Sequence, residues 1–214
     1  MNKHVVFNAV MFQGNWFAVI LSAATGRPWI GLLTTAGFIA VHLSLHGRVA
    51  RTLALIVGCG IFGYVADSAL VLAGALGFPP EAMLGGPSAL WMVALWAGLA
   101  CTLHHSMGWL RGRPLLGAIF GLLGGAGSYY AGERLGAVTF PGGLAKGLIG
   151  SGVLWAVAMP LLAWVAGRVL PDGTPAESPA TSPAESPAES PAASPATSPA
   201  TSPAKPNAAS EPAP

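Results

Sequence analysis

Asp67 is the residue of this chain whose type and place most demand an explanation. It lies inside an apolar run over 52–76, where an ionised carboxylate costs roughly 2.5 to 3.5 kcal/mol on insertion scales. Such a group faces a bundle interior or a watery cavity, and there it pairs, binds a cation or passes protons. Tyr64 stands three residues earlier on the same helical face, and Tyr129, Tyr130, Glu133 and Arg134 close another apolar run at the same expected outer side. Asp67, Tyr64, Tyr129, Glu133 and Arg134 therefore make a candidate intramembrane polar site. A proton or cation relay is one reading. The other, which we expect, is a structural pair of Asp67 with Arg134 or a tyrosine hydroxyl that holds two helices in register.

Histidines give a second constellation. His42 and His46 are four residues apart, hence on one helix face, and Cys101 and His105 repeat that spacing at similar depth. Three imidazoles and a thiolate are ligand types that suit zinc. Membrane di-iron hydroxylases and desaturases need many more histidines than the 5 present. The expectation is interfacial histidines, hydrogen-bonded or solvated, with no cofactor and no stoichiometric zinc or iron. Asn8 and Asn15, seven residues apart on one stripe, join them in a candidate polar cluster toward the cytoplasmic side. Amides in lipid need partners, each worth around 0.6 to 2 kcal/mol, so we read them as interhelical ties. With Gln13 and Trp16 they could also wall a substrate site. Cys59 and Cys101 lack any C-x-x-C spacing and read as small buried hydrophobes.

The elements that must position these residues follow from composition. Hydrophobic residues make up 53% and charged residues 8% of the chain, with a mean hydropathy of +0.60, whereas soluble domains carry roughly 25% charge. A spanning helix takes roughly 20 apolar residues. Six stretches qualify, 5–24, 29–46, 52–76, 88–110, 114–132 and 143–169, separated by glycine, proline and charge. The expected fold is all-α, a polytopic helical bundle over 1–170. Its basic residues sort by side: Lys3, Arg48, Arg51, Arg111, Arg113 and Arg168 against Arg27, Arg134 and Lys146. The excess marks the cytoplasmic side and puts both termini there. The basic residues are a topology signal and exclude a nucleic-acid footprint. A cleaved secretory signal at Ser22-Ala23-Ala24 is the rival reading of the first run; Asn8, Gln13 and Asn15 argue for a retained helix.

Gly117, Gly121 and Gly125 form two G-x-x-x-G steps, and Gly143, Gly147 and Ser151 repeat the small-residue spacing. Close helix packing is expected there, within the chain or against a second copy or membrane partner. Trp16, Trp96 and Trp155 fall near mid-membrane, where they should face other helices. Gly26-Arg27-Pro28 and Gly112-Arg113-Pro114 occupy equivalent places in two three-span halves, as inverted repeats of secondary transporters would. Over 171–214 the Ser-Pro-Ala tetrapeptides remove backbone donors every fourth residue, so a disordered tether is expected. No phosphate-binding loop, nucleophile elbow or dinucleotide fingerprint occurs.

Phe12-Gln13-Gly14-Asn15-Trp16-Phe17, Gly26-Arg27-Pro28-Trp29, Ala94-Leu95-Trp96 with Thr102-Leu103, and Ala131-Gly132-Glu133-Arg134-Leu135-Gly136-Ala137-Val138 together resemble the DUF2878 family of uncharacterised bacterial inner-membrane proteins. The resemblance covers most of 1–170 and implies that membrane location but no reaction. The function expected is small-solute or ion transport, with a lipid-linked membrane enzyme or an accessory or scaffold role as the alternative. A transporter should set Asp67 on a cavity, and a metalloenzyme should gather His42, His46 and His105.

Overall fold

The computed structural model describes residues 3–171, and the tail expected over 171–214 therefore lies, save Pro171, outside the described residues. The described chain is helical: α1 (Lys3–Ala24), α2 (Pro28–His46), α3 (Val49–Leu72), α4 (Leu90–Leu103), α5 (Pro114–Arg134) and α6 (Leu144–Val169), with single 3-10 turns at Pro80–Ala82 and Gly108–Leu110. Five of these helices are long and apolar enough to cross a membrane. Burial runs opposite to that of a water-soluble protein. Leu33, Ile61, Leu72, Leu115 and Ile149 lie on the outside, while Asn8, Asn15, Thr35, His42, Asp67 and Ser151 are buried.

α4 departs from the expected span over 88–110. It has 14 residues, about 21 Å at 1.5 Å per residue, and is buried along nearly its whole length, Trp91, Met92, Leu95, Trp96 and residues 98–103 included. It packs against α1, α2, α3 and α6. The shortening has a cause at each end. Before α4, the connection from α3 folds back into the bundle: the Tyr64 hydroxyl, roughly two turns inside α3, donates to the Gly86 carbonyl, and Trp91 Nε1 donates to the Ala82 carbonyl at 2.9 Å. After α4, the chain leaves the helix at His104 and returns through the turn Gly108–Leu110. Irregular backbone at such depth is satisfied by protein partners.

Contacts between connections define two ends of the bundle. At one, Gly77 and Thr139 exchange backbone hydrogen bonds of 2.9 and 2.8 Å, tying the α3–α4 connection to the α5–α6 connection, and Glu81 sits against Gly26 of the α1–α2 turn. At the other, Ser106 bonds Asn8 near the start of α1, and Arg48 Nη1 donates to the Pro171 carbonyl at 3.3 Å. α4 runs from the first end to the second in spite of its length.

Gly26 and Gly112 share a left-handed φ, +70° and +73°, and each is followed by an arginine of similar backbone, φ −124° and ψ 51° against φ −125° and ψ 67°, and by a proline in the first turn of the next helix. The local turn is thus the same twice. The packing is not. Gly31 of α2 seats against Val19 and Ser22 of α1, whereas Gly117 of α5 seats against Pro160 of the following helix. The recurrence is one of turn chemistry, without two equivalent three-helix halves.

Candidate functional site

The Asp67 carboxylate is fully buried where α3, α4 and α5 meet. Trp96 Nε1 donates to Oδ2 at 2.7 Å, and the Tyr129 hydroxyl donates to Oδ1. One acceptor oxygen for each donor makes this a closed three-helix tie. Gly63, one turn before Asp67, makes room for it, since a Cβ there would overlap the Trp96 ring. Trp96 is also stacked on Trp155 of α6, centroids 4.3 Å apart and planes 9° apart, which brings a fourth helix to the node. Of the residues expected with Asp67, the structure brings Tyr129. Arg134 does not pair with it and is exposed, Glu133 is part-exposed and Tyr64 is occupied by Gly86.

Beside this node lies a cavity of about 440 Å³. Its walls are almost wholly apolar or aromatic, and all three mid-membrane tryptophans, Trp16, Trp96 and Trp155, take part, as does Tyr129. Asp67 does not line it. Five lining residues lie on the outer surface, Gln13 and Phe17 of α1 with Phe120, Gly124 and Leu135 of α5 or just beyond its end. The mouth is therefore a side opening between α1 and α5. A hydrogen bond of 3.0 Å from Trp16 Nε1 to Ser128 Oγ crosses between the two helices.

At the end of the bundle opposite Tyr64 and Gly86, His42, His46 and His105 converge. One ring nitrogen from each lies within 4.8 Å of the others. Asn8 braces the group: its Oδ1 accepts from Ser106 Oγ at 2.7 Å, and its Nδ2 donates to the Cys101 carbonyl at 3.2 Å and faces His42 Nδ1 at 3.5 Å. The Cys101 side chain is buried as a free thiol, in keeping with a small buried hydrophobe, and it is the backbone carbonyl of Cys101 that reaches this group. Asn15 lies away from it, accepting from Thr35 Oγ1 at 3.2 Å between α1 and α2.

The glycine series divides. A Cβ on Gly121 would overlap the Trp155 carbonyl, and one on Gly125 would overlap the Trp155 side chain, so α5 and α6 meet at backbone distance. Gly147 instead seats the Phe140 ring, and Gly143 stands before α6 with φ +88°, in the turn rather than on a helix face.

A family model described as a protein of unknown function, DUF2878, matches residues 5–161. The chain belongs to that family. Comparison with curated proteins and with solved structures gives no match. Every residue of the Asp67 node, the cavity and the histidine group of this DUF2878 protein lies inside the matched stretch. Trp96 as an Asp67 partner, Ser106 as an anchor and Gly124 at the cavity mouth were not marked by sequence reasoning. The available signal was the coincidence of three tryptophans at mid-span depth, which needed a common surface to face.

Proposed function

We propose that this DUF2878 protein crosses the bacterial inner membrane six times with both termini in the cytoplasm, and admits an apolar, chain-like molecule from the bilayer into the cavity between α1 and α5. The observation that carries this reading is the side opening. Its volume of about 440 Å³ falls within the roughly 300–1,000 Å³ of small-molecule sites, and its exposed rim is Phe17, Phe120 and Leu135 rather than charge. A lipid or lipid-linked compound fits such walls; a hydrated ion does not. Solute or ion transport would need Asp67 open to water, and both of its oxygens are already engaged at a fully buried position. The lipid-linked role therefore takes precedence over the transport role.

Gly124 offers a clean test, since a Cβ there meets nothing and the residue lies on the cavity wall. Gly124→Phe should fold, because a helical glycine is replaced by a better helix former, and should fill the mouth. Native mass spectrometry of protein released from membranes is expected to show a bound lipid, reduced about tenfold in this variant, equivalent to about 1.4 kcal/mol. Gly127→Phe, with equally open space but off the cavity, should retain it. Equal lipid content in both variants would remove the cavity from the account.

The orientation has its own readout. Reporters fused after Arg51, Arg113 and Arg168 should register as cytoplasmic and one inserted near Glu81 as external, following the basic-residue excess. The reverse pattern would exchange the sides of the tyrosine and histidine groups.

A further inference from the structure

The last turn of α2 places His42 and His46 on one face, and the turn after α4 brings His105 against them. The imidazole centroids lie 4.6 Å apart for His42–His46, 4.0 Å for His46–His105 and 5.0 Å for His42–His105. We infer that His42, His46 and His105 form a binding site for one divalent transition metal of the zinc class, with a fourth position open to water or an anion.

The donor set selects the metal. Imidazole nitrogens suit zinc, copper or nickel, whereas calcium and magnesium take oxygen ligands, and the group consists of histidines alone. Zinc at about 2.0–2.1 Å from each nitrogen in a tetrahedral arrangement needs those nitrogens about 3.3 Å apart. The present separations, up to 4.8 Å, close by rotation about the soft ring torsions. One ring is already held as ligands are held: His46 Nδ1 lies 2.9 Å from the His42 carbonyl. The carbonyl accepts, so Nδ1 carries the proton and the Nε2 lone pair is free, the tautomer that a backbone carbonyl fixes in many metal sites.

The support extends outward. Asn8 binds Ser106 and the Cys101 carbonyl, on both sides of His105 in sequence, and so fixes from α1 the turn that carries the third ligand. Its contact with His42 Nδ1, 3.5 Å, is the one that yields when His42 turns toward the ion. Arg111 Nη1 bonds His104 Nδ1 at 3.1 Å, which engages one nitrogen of His104, edge-on to His105, and brings positive charge to the edge of the ligand set. That charge favours an anionic fourth ligand, as hydroxide or phosphate would be. Three histidines with an open position is the pattern of catalytic rather than structural zinc. This departs from the expectation of interfacial histidines without stoichiometric metal, and the three imidazoles make the set with no Cys101 thiolate.

The full chain, purified without a histidine tag and stripped with a chelator, should bind one equivalent of Co²⁺, with a tetrahedral ligand-field spectrum that Zn²⁺ abolishes. His46→Ala and His105→Ala should each weaken binding by more than about 100-fold, beyond the loss expected from an outer partner alone, while His104→Ala retains it. His105→Cys should add a thiolate-to-cobalt charge-transfer band, a signature that no packing role produces. Metal-free melting curves identify which variants are folded. A wild-type protein with no saturable Co²⁺ spectrum, or a folded His105→Cys protein without the new band, overturns the site. Lipid content of the Gly124→Phe protein is independent of either result.

Discussion

Asp67→Ala is expected to lose about 3–5 kcal/mol of stability, because it removes the acceptor from two buried donors and leaves a void. Trp96 Nε1 and the Tyr129 hydroxyl have Asp67 as their shared partner, from helices 29 and 62 positions away in sequence, and Asp67 is itself fully buried. Asp67→Asn should lose less, about 1–3 kcal/mol, since one amide oxygen still accepts while the amide N–H₂ opposes the other donor. Tyr129→Phe should resemble the milder case. Thermal unfolding in detergent, read from tryptophan fluorescence, ranks the three. An Asp67→Ala protein melting with the wild type would show that the tie contributes nothing. A relay would give a different outcome: Asp67→Asn would fold normally and lose proton-coupled uptake in vesicles.

Gly121→Ala is expected to be the most damaging of the single-methyl changes on α5. Its Cβ would occupy the position of the Trp155 carbonyl, and backbone cannot rotate aside as a side-chain tip can. Overpacking costs about 1–3 kcal/mol where the core can shift, and here the shift must separate two helices. Gly125→Ala presses on the Trp155 ring, and that ring is stacked on Trp96, so its effect should reach the Asp67 hydrogen bonds. Gly117→Ala is the internal control: its Cβ would stand 3.4 Å from Pro160, an ordinary contact, and the change gains up to about 1 kcal/mol of helix propensity. Melting temperatures in the order Gly117→Ala, wild type, Gly121→Ala test the close approach. A tolerated Gly121→Ala would mean that α5 and α6 are further apart than described.

The helices were readable because lipid-facing runs need only be apolar, a property summed along the chain. Asp67 was conspicuous for the same reason, a charge where the sum forbids one. Its partners were harder. Tyr129 was named but so was Arg134, since sequence separation gives no measure of which donor faces a carboxylate across three helices. Trp96 was placed at the right depth without its bond. Composition extends α4 too far because Met107, Gly108, Trp109 and Leu110 resume an apolar run past His104, His105 and Ser106, while the contacts of Tyr64 and Trp91 that hold the irregular backbone before the helix are tertiary. The cavity is marked in the sequence only indirectly, by three tryptophans at mid-span depth, because its space is made by what Gly121, Gly124 and Gly125 lack. His42 and His46 are paired by spacing and His105 is set at their depth by its spacing from Cys101, although the structure brings it to them through a turn after α4 rather than on a helix.

The shortness of α4 bears on how the chain is assembled as it is synthesised. A segment of 14 residues, about 21 Å long, cannot by itself hold its ends in register with a hydrocarbon layer about 30 Å thick. In a six-span arrangement the irregular backbone that completes the crossing is satisfied by Tyr64 of α3 at the Gly86 carbonyl, by Trp91 of α4 itself at the Ala82 carbonyl and by Asn8 of α1 at the Cys101 carbonyl. On the six-span topology proposed above, α4 would therefore enter lipid alongside α1 to α3, which leave the ribosome first and offer its docking surface. The protein's membrane insertion is in this respect a folding reaction, with the early helices acting as the template on which the central one is laid.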